Sequence, residues 1–210
     1  MSATRLLVLG VVRWCGSAHG YLVRAELESW WAHEWANIKW GSIYHGLKQL
    51  TKEGLMTSSS PVGNIGRVDY ALTPAGEAEF FRLLRATLRE PEEHKPDLLA
   101  AALVLMPTLP RDEVIALLKE RLAALEVNRA QVAGRAGELT EPAHMSELFG
   151  VWRSSADASV AWTQDLVERI EAGAHTFAGE APHVFGQPGG AGFHSDGSPR
   201  PRPKPDISCG

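Results

Sequence analysis

Between Lys39 and Lys48 the chain places Lys39, Ser42, Tyr44, His45 and Lys48, side chains that donate hydrogen bonds and in two cases carry positive charge. This chemistry suits an anion and the edge of a base. A lysine bonds guanine O6 or N7. A serine hydroxyl and the free amides that open a helix hold a phosphate. Arg67, further along, suits a phosphate or a narrow minor groove. These groups are useful only if one element presents them together. Ile43, Leu47 and Leu50 follow i, i+4, i+7 spacing and predict the buried stripe of a helix running from about Gly41-Ser42 to Glu53. Tyr44, His45, Lys48 and Lys52 lie off that stripe and are expected to face outward. Tyr44 has a second reading, a half-buried ring with only its hydroxyl exposed.

Other chemistries find less support. The eight histidines include no i, i+4 pair and have no cysteine cluster beside them, so no metal site is expected. Cys15 and Cys209 stand at opposite ends of the chain, which argues against a disulfide framework. Cys15 sits among apolar neighbours and reads as an inert thiol. His19 reads as a turn or cap residue. No nucleophile elbow, phosphate-binding loop or dinucleotide fingerprint is present, so neither an enzyme nor a cofactor is expected.

The elements around the helix of Ile43 build a recognisable frame. Thr4 is expected to cap a first helix with Leu6, Leu7, Leu9, Val11 and Val12, broken at Gly16-Ser17-Ala18. A second runs from about His19 to Trp31, with Val23, Leu27, Trp30 and Trp31 at helical spacing. Gly54 stops the third. Two extended segments follow, Leu55–Ser59 and Arg67–Leu72, joined by the turn-rich run 61–66. Thr73-Pro74 restarts a helix that buries Phe80, Leu83, Leu84 and Leu88. Helix, helix, turn, helix, hairpin is the layout of a winged helix-turn-helix.

Three segments match a particular family in order and spacing: His19-Gly20-Tyr21-Leu22, the run from Gly41-Ser42-Ile43-Tyr44 through Leu47 and Leu50 to Gly54-Leu55, and Gly66-Arg67-Val68 through Tyr70, Leu72-Thr73 and Gly76. They resemble the PadR family of transcriptional regulators, over roughly residues 5–85. The resemblance implies a homodimer built on C-terminal helices, a double-stranded DNA operator as partner, and repression relieved by a small molecule or by stress. Trp40 stands where such proteins commonly carry proline.

The rest of the chain fits that expectation. Residues 1–90 carry ten Lys/Arg against eight Asp/Glu, whereas residues 91–178 carry eight against fourteen. The acidity of the chain therefore lies away from the expected DNA face. Pro91–Pro96 reads as a linker. Beyond it a helix carries Leu98, Leu99, Leu103 and Leu105, and a long helix opens at Pro110-Arg111-Asp112. In the long helix Ile115, Leu118, Leu122 and Leu125 repeat with near-heptad spacing and, with Val167 and Ile170 on a last helix of about 142–172, are expected to hold a dimer.

The whole reads as a mainly α protein with a small β-hairpin wing: a winged helix-turn-helix over 1–90, a helical dimerisation domain over 95–174, and a disordered Gly/Pro-rich tail over 179–210. No stretch is long and apolar enough for a membrane span and no signal-peptide layout opens the chain, so a cytoplasmic protein is expected. Trp30, Trp31, Trp152 and Trp162 are either packing residues or the walls of a site for a hydrophobic or aromatic effector. A winged-helix interaction module with weak or no DNA binding is the alternative to a repressor, because the wing carries Arg67 as its single cation.

Overall fold

The computed structural model describes residues 2–60, 66–92, 95–135 and 144–181. Helix α1 (Ala3–Cys15) is its centre. Every residue from Leu6 to Val12 is buried, so this helix has no solvent face along its middle. Around it pack α2 (Gly20–Ser29), α4 (Trp40–Lys52), α5 (Pro74–Arg89), α6 (Pro96–Leu105) and strand β3 (Asp69–Leu72). Ser2, rather than Thr4, caps α1, its hydroxyl accepting the Arg5 amide. The helix starts two residues earlier than the Thr4 cap would put it.

The second expected helix divides in two. It ends at Ser29, Trp31 takes a left-handed φ of 58°, and a four-residue helix α3 (Ala32–Trp35) follows. Helix α4 buries Ile43, Leu47 and Leu50 as its periodicity requires, and Gly54 leaves it with φ +74°. The wing is a hairpin of β2 (Met56–Ser59) and β3, and residues 61–65 of its turn lie outside the described residues. A two-residue strand β1 (Ala18–His19), not anticipated from the sequence, pairs antiparallel with β3 and gives the sheet the order β1-β3-β2. Thr73 caps α5 by accepting the Gly76 amide, with Pro74 in the first turn.

Beyond α6 and a short 3-10 turn (Met106–Thr108), helices α7 (Arg111–Arg135) and α8 (Met145–Glu171) form an antiparallel hairpin. One apolar core runs from α1 through α5 and α6 into α7 and the end of α8, across the linker at 91–96. Leu118, Leu125, Val167 and Ile170, expected to need a second chain, are buried within a single one. Ile115 and Leu122 stay partly exposed. Helix α7 packs against both α8 and α5. The large apolar side chains left in solvent on this hairpin lie elsewhere: Val127, Leu148, Val151, Trp152 and Trp162.

After α8 the chain folds back on the start of α7. Arg111 places all five of its N–H groups: Nε and Nη2 donate to the Glu180 carboxylate at 2.6 and 2.9 Å, Nη1 to the carbonyls of Ile170 and Ala174, and Nη2 also to that of His175. Phe177, fully buried, lies under the guanidinium at 4.8 Å. Glu180 thus belongs to the body, although the Gly/Pro-rich composition begins at 179. The remainder of the expected disordered tail lies outside the described residues.

Phe177→Ala is expected to cost about 3–5 kcal/mol, as removal of a buried phenyl ring does, and to lower the melting temperature by roughly 10 °C. Thermal denaturation followed by circular dichroism measures it. An unchanged melting temperature would show that residues 172–181 are not held on the body.

Candidate nucleic-acid interface

Helix α4 presents two faces of opposite chemistry. The buried stripe rests on α1 and leaves Tyr44, His45, Lys48, Gln49 and Lys52 on the outer face. Among the described residues Lys39, Lys48 and Lys52 make no ion pair. Lys39 is exposed and immediately precedes the helix, in extended backbone. Ser42 is at the expected place but is already engaged. Its hydroxyl donates to the Lys39 carbonyl at 2.6 Å, and its amide donates to the same oxygen. To donate to a phosphate it must first leave that bond.

Trp40 opens α4 and fixes where the helix begins. The Arg24 guanidinium of α2 lies over its ring at 4.8 Å and the His33 ring of α3 lies 5.5 Å away. The indole therefore joins three elements by cation–π and ring contact. Its bulk is a packing device here, not an obstruction on the outer face.

Tyr44 combines its two readings. Its side leans on Gly20, where a Cβ would run into ring carbon Cε1, yet the residue is 43% exposed. Gly20 opens α2, so the absence of a side chain there lets the two helices meet at this point. Around Tyr44 a cleft of about 430 Å³ opens between α4, the start of α2 and the base of the wing. His19, Gly20, Tyr21, Gly66, Arg67, Val68 and Tyr70 complete its lining. A second cleft of about 270 Å³ flanks the other side of α4, between His45, Gln49 and Ser42 and the start of α1 at Ser2, Thr4 and Arg5.

The wing brings one cation, and that cation is spoken for. Arg67 Nε donates to Asp69 Oδ1 at 2.8 Å, so a carboxylate offsets the charge. The strand opposite is neutral and hydroxylated: Thr57, Ser58 and Ser59 are all exposed. This Thr-Ser-Ser run, Tyr21 and Tyr70 receive no contact role from the sequence alone; the available signal was three consecutive hydroxyl side chains in the first wing strand and a tyrosine in the second. His19 is the N-cap of α2, its Nδ1 accepting the Leu22 amide at 3.1 Å. Partial burial, then the nearby Arg67 charge, push its pKa below the ordinary value, and Asp69 opposes them. Burial, with Glu26 nearby, pushes the Cys15 thiol up to about 12, so it stays protonated and unreactive at neutral pH.

The four tryptophans considered for an effector have different surroundings. Trp30 stacks on Trp14 at 5.4 Å and its carbonyl accepts the Trp35 indole N–H. Trp31 is 61% exposed at the end of α2. Trp152 packs edge-on against Phe149, and Trp162 stands exposed ten residues further along α8.

Residues 8–82 match the profile of the transcriptional regulator PadR-like family. No curated protein matches the chain by sequence. Similar solved structures include PadR of Bacillus subtilis in complex with operator DNA, at 22% identity, covering 79% of this chain and 98% of that one with a TM-score of 0.37. The same protein in complex with p-coumaric acid shows 22% identity, coverage of 80% and 99%, and a TM-score of 0.35. A PadR-like transcriptional regulator from Bacillus cereus shows 21% identity, coverage of 80% and 98%, and a TM-score of 0.34.

The His19 cap makes a pH signature. The fold holds the neutral imidazole, so its contribution is present above the ordinary imidazole pKa of about 6.5 and is lost as pH falls below it. The wild-type melting temperature is expected to drop from pH 7 to pH 5 by more than that of His19→Asn, which keeps a capping acceptor without titrating there. Equal drops in the two proteins would remove His19 as the source.

Proposed function

We propose that the chain is a cytoplasmic, homodimeric repressor of the PadR type that binds a double-stranded operator and is released by a hydrophobic or aromatic small molecule, a reading supported by the match of residues 8–82 to the transcriptional regulator PadR-like family. The observation that carries the reading is the outer face of α4. There Tyr44, His45 and Lys48 stand exposed above a fully buried stripe, with Lys39 before them and the wing beside them. A helix so presented enters the major groove and meets base edges with its exposed side chains. Among the described residues no helix is long and apolar enough to cross a membrane. In this reading residues 1–90 contact DNA and the α7–α8 hairpin joins two chains, while one apolar core connects the two parts.

The dimer contact is assigned to the exposed apolar side chains of that hairpin. Val151 is 66% exposed, and Trp152, Leu148 and Val127 are also in solvent. Two recognition helices must be linked to read half-sites about one DNA turn apart, roughly 34 Å. Ile115 and Leu122, partly exposed on α7, extend the candidate contact. Trp152 and Trp162 lie on the same hairpin, where an effector that stacks on indole would act on the spacing of the two halves. Such a ligand must bind the DNA-free arrangement better than the bound one.

Lys48→Ala and Tyr44→Phe are expected to weaken binding to the DNA upstream of the chain's own gene by about 1–3 kcal/mol, or roughly fivefold to a hundredfold, with unchanged circular dichroism. Fluorescence anisotropy with labelled duplex reads this. Wild-type affinity in both variants would displace the recognition helix. A wild-type chain with no preference for any upstream fragment would favour the interaction module.

Val151→Glu with Trp152→Glu is expected to convert the dimer to a monomer in sedimentation velocity and to lower operator affinity. A dimer that survives both substitutions would place the contact elsewhere.

A further inference from the structure

The chain has three tyrosines, and all three line the cleft beside α4. Tyr21 comes from α2, Tyr44 from α4 and Tyr70 from β3. Tyr21 is 70% exposed, so its ring and hydroxyl are open to a ligand in the cleft. Among the described residues none of the three hydroxyls has a hydrogen-bond partner in the protein. His19 faces the same cleft, and its ring runs nearly parallel to that of Tyr21, 6.3 Å apart at 18°. Because its Nδ1 accepts the Leu22 amide, the neutral imidazole carries its proton on Nε2 and is there a donor. Arg67 is the only cation in the lining, and Asp69 offsets it.

Resting on the reading of the chain as a DNA-binding regulator, we propose that this cleft seats one sugar–phosphate unit of the operator strand and grips it with neutral donors, namely the Tyr21, Tyr44 and Tyr70 hydroxyls and the His19 imidazole. The shape suits a backbone and not a base-edge reader. Gly20 and Gly66 leave two parts of the lining without side chains, and the volume admits a sugar with its phosphate. The faces of His19 and Tyr21 offer an apolar wall for the C–H groups of a deoxyribose. The hydroxyls, which have no hydrogen-bond partner among the described residues, donate to the phosphate oxygens. Tyr44 projects from the helix that enters the major groove, so a strand flanking that groove passes this cleft.

The electrostatic consequence separates this grip from an ordinary one. Binding through Lys or Arg releases counterions, and each neutralised phosphate adds about 0.9 to the salt slope of affinity. Neutral donors hold the phosphate without displacing a cation. Tyr21 and Tyr70 should therefore contribute affinity and no salt dependence.

The test uses the full-length protein and the upstream duplex, with single phosphates replaced one at a time by neutral methylphosphonates. Tyr21→Phe and Tyr70→Phe should each weaken binding about threefold to tenfold, the worth of one hydrogen bond, with the salt slope unchanged. At one phosphate in each half-site, the penalty of methylphosphonate should be smaller in these variants than in the wild type. That coupling identifies a contact, which a purely structural role of the tyrosines would not produce. Penalties that add at every position, wild-type affinity in both variants, or a salt slope reduced by about one unit would each overturn the proposal. A wild-type chain that binds no upstream fragment overturns the regulatory reading itself, and this inference falls with it.

Discussion

Burial of α1 on every side is the constraint from which the rest of the molecule follows. Seven consecutive residues, Leu6 to Val12, are shielded from water, most of them large aliphatic side chains. Each such side chain contributes about 1.5–3 kcal/mol when fully buried. A helix apolar all round can gain that only if other elements surround it. The stripes of α4 and α5 turn inward to do so, and their polar faces must then point out. The outward presentation of Tyr44, His45 and Lys48 is thus a consequence of packing Ile43, Leu47 and Leu50 against α1. The recognition surface is oriented by the core beneath it.

The charges around this core are spent mainly on the protein itself. Arg5 pairs with Glu53 and Glu79, Arg13 with Glu77, and Arg67 with Asp69. Among the described residues, what remains without an ion pair on and before α4 is a short set of lysines, with hydroxyls along the wing and in the cleft. On the proposed reading, such an interface relies on hydrogen bonds placed by the frame more than on a field of positive charge. It also accounts for a chain of net charge −4 that is read as a DNA binder.

The α7–α8 hairpin is joined to the N-terminal half by more than a linker. Arg121 of α7 is buried and donates to the carbonyls of Thr87 and Glu90 at the end of α5. A positive charge there complements the negative end of the helix dipole. Arg85 of α5 pairs with Glu113 of α7. At the far end Arg111 ties the start of α7 to the segment after α8. The hairpin therefore contacts α5 directly and shares one apolar core with α1 and α4.

Periodicity and end signals in the sequence determined the helices that carry an amphipathic stripe, the hairpin, and the outer face of α4. These are local properties, written at spacings of two to four residues. The same logic found Gly54 as a helix stop, His19 as a cap and the Thr73-Pro74 start. Tertiary structure alone decided what depends on distant partners. Strand β1 is two residues long and exists because β3 lies alongside it. Leu118 and Leu125 read as the seam of a dimer because a heptad spacing says that a partner is needed, not which one, and both are already buried within a single chain. Tyr21, Tyr44 and Tyr70 lie far apart in the chain and converge only when α2, α4 and β3 close on α1. Asp69 is an ordinary strand residue until the fold sets it against Arg67, and Glu180 stands in a stretch of tail composition until Arg111 draws it in. Local spacing records which face of an element is apolar; it does not record which face of which other element will meet it.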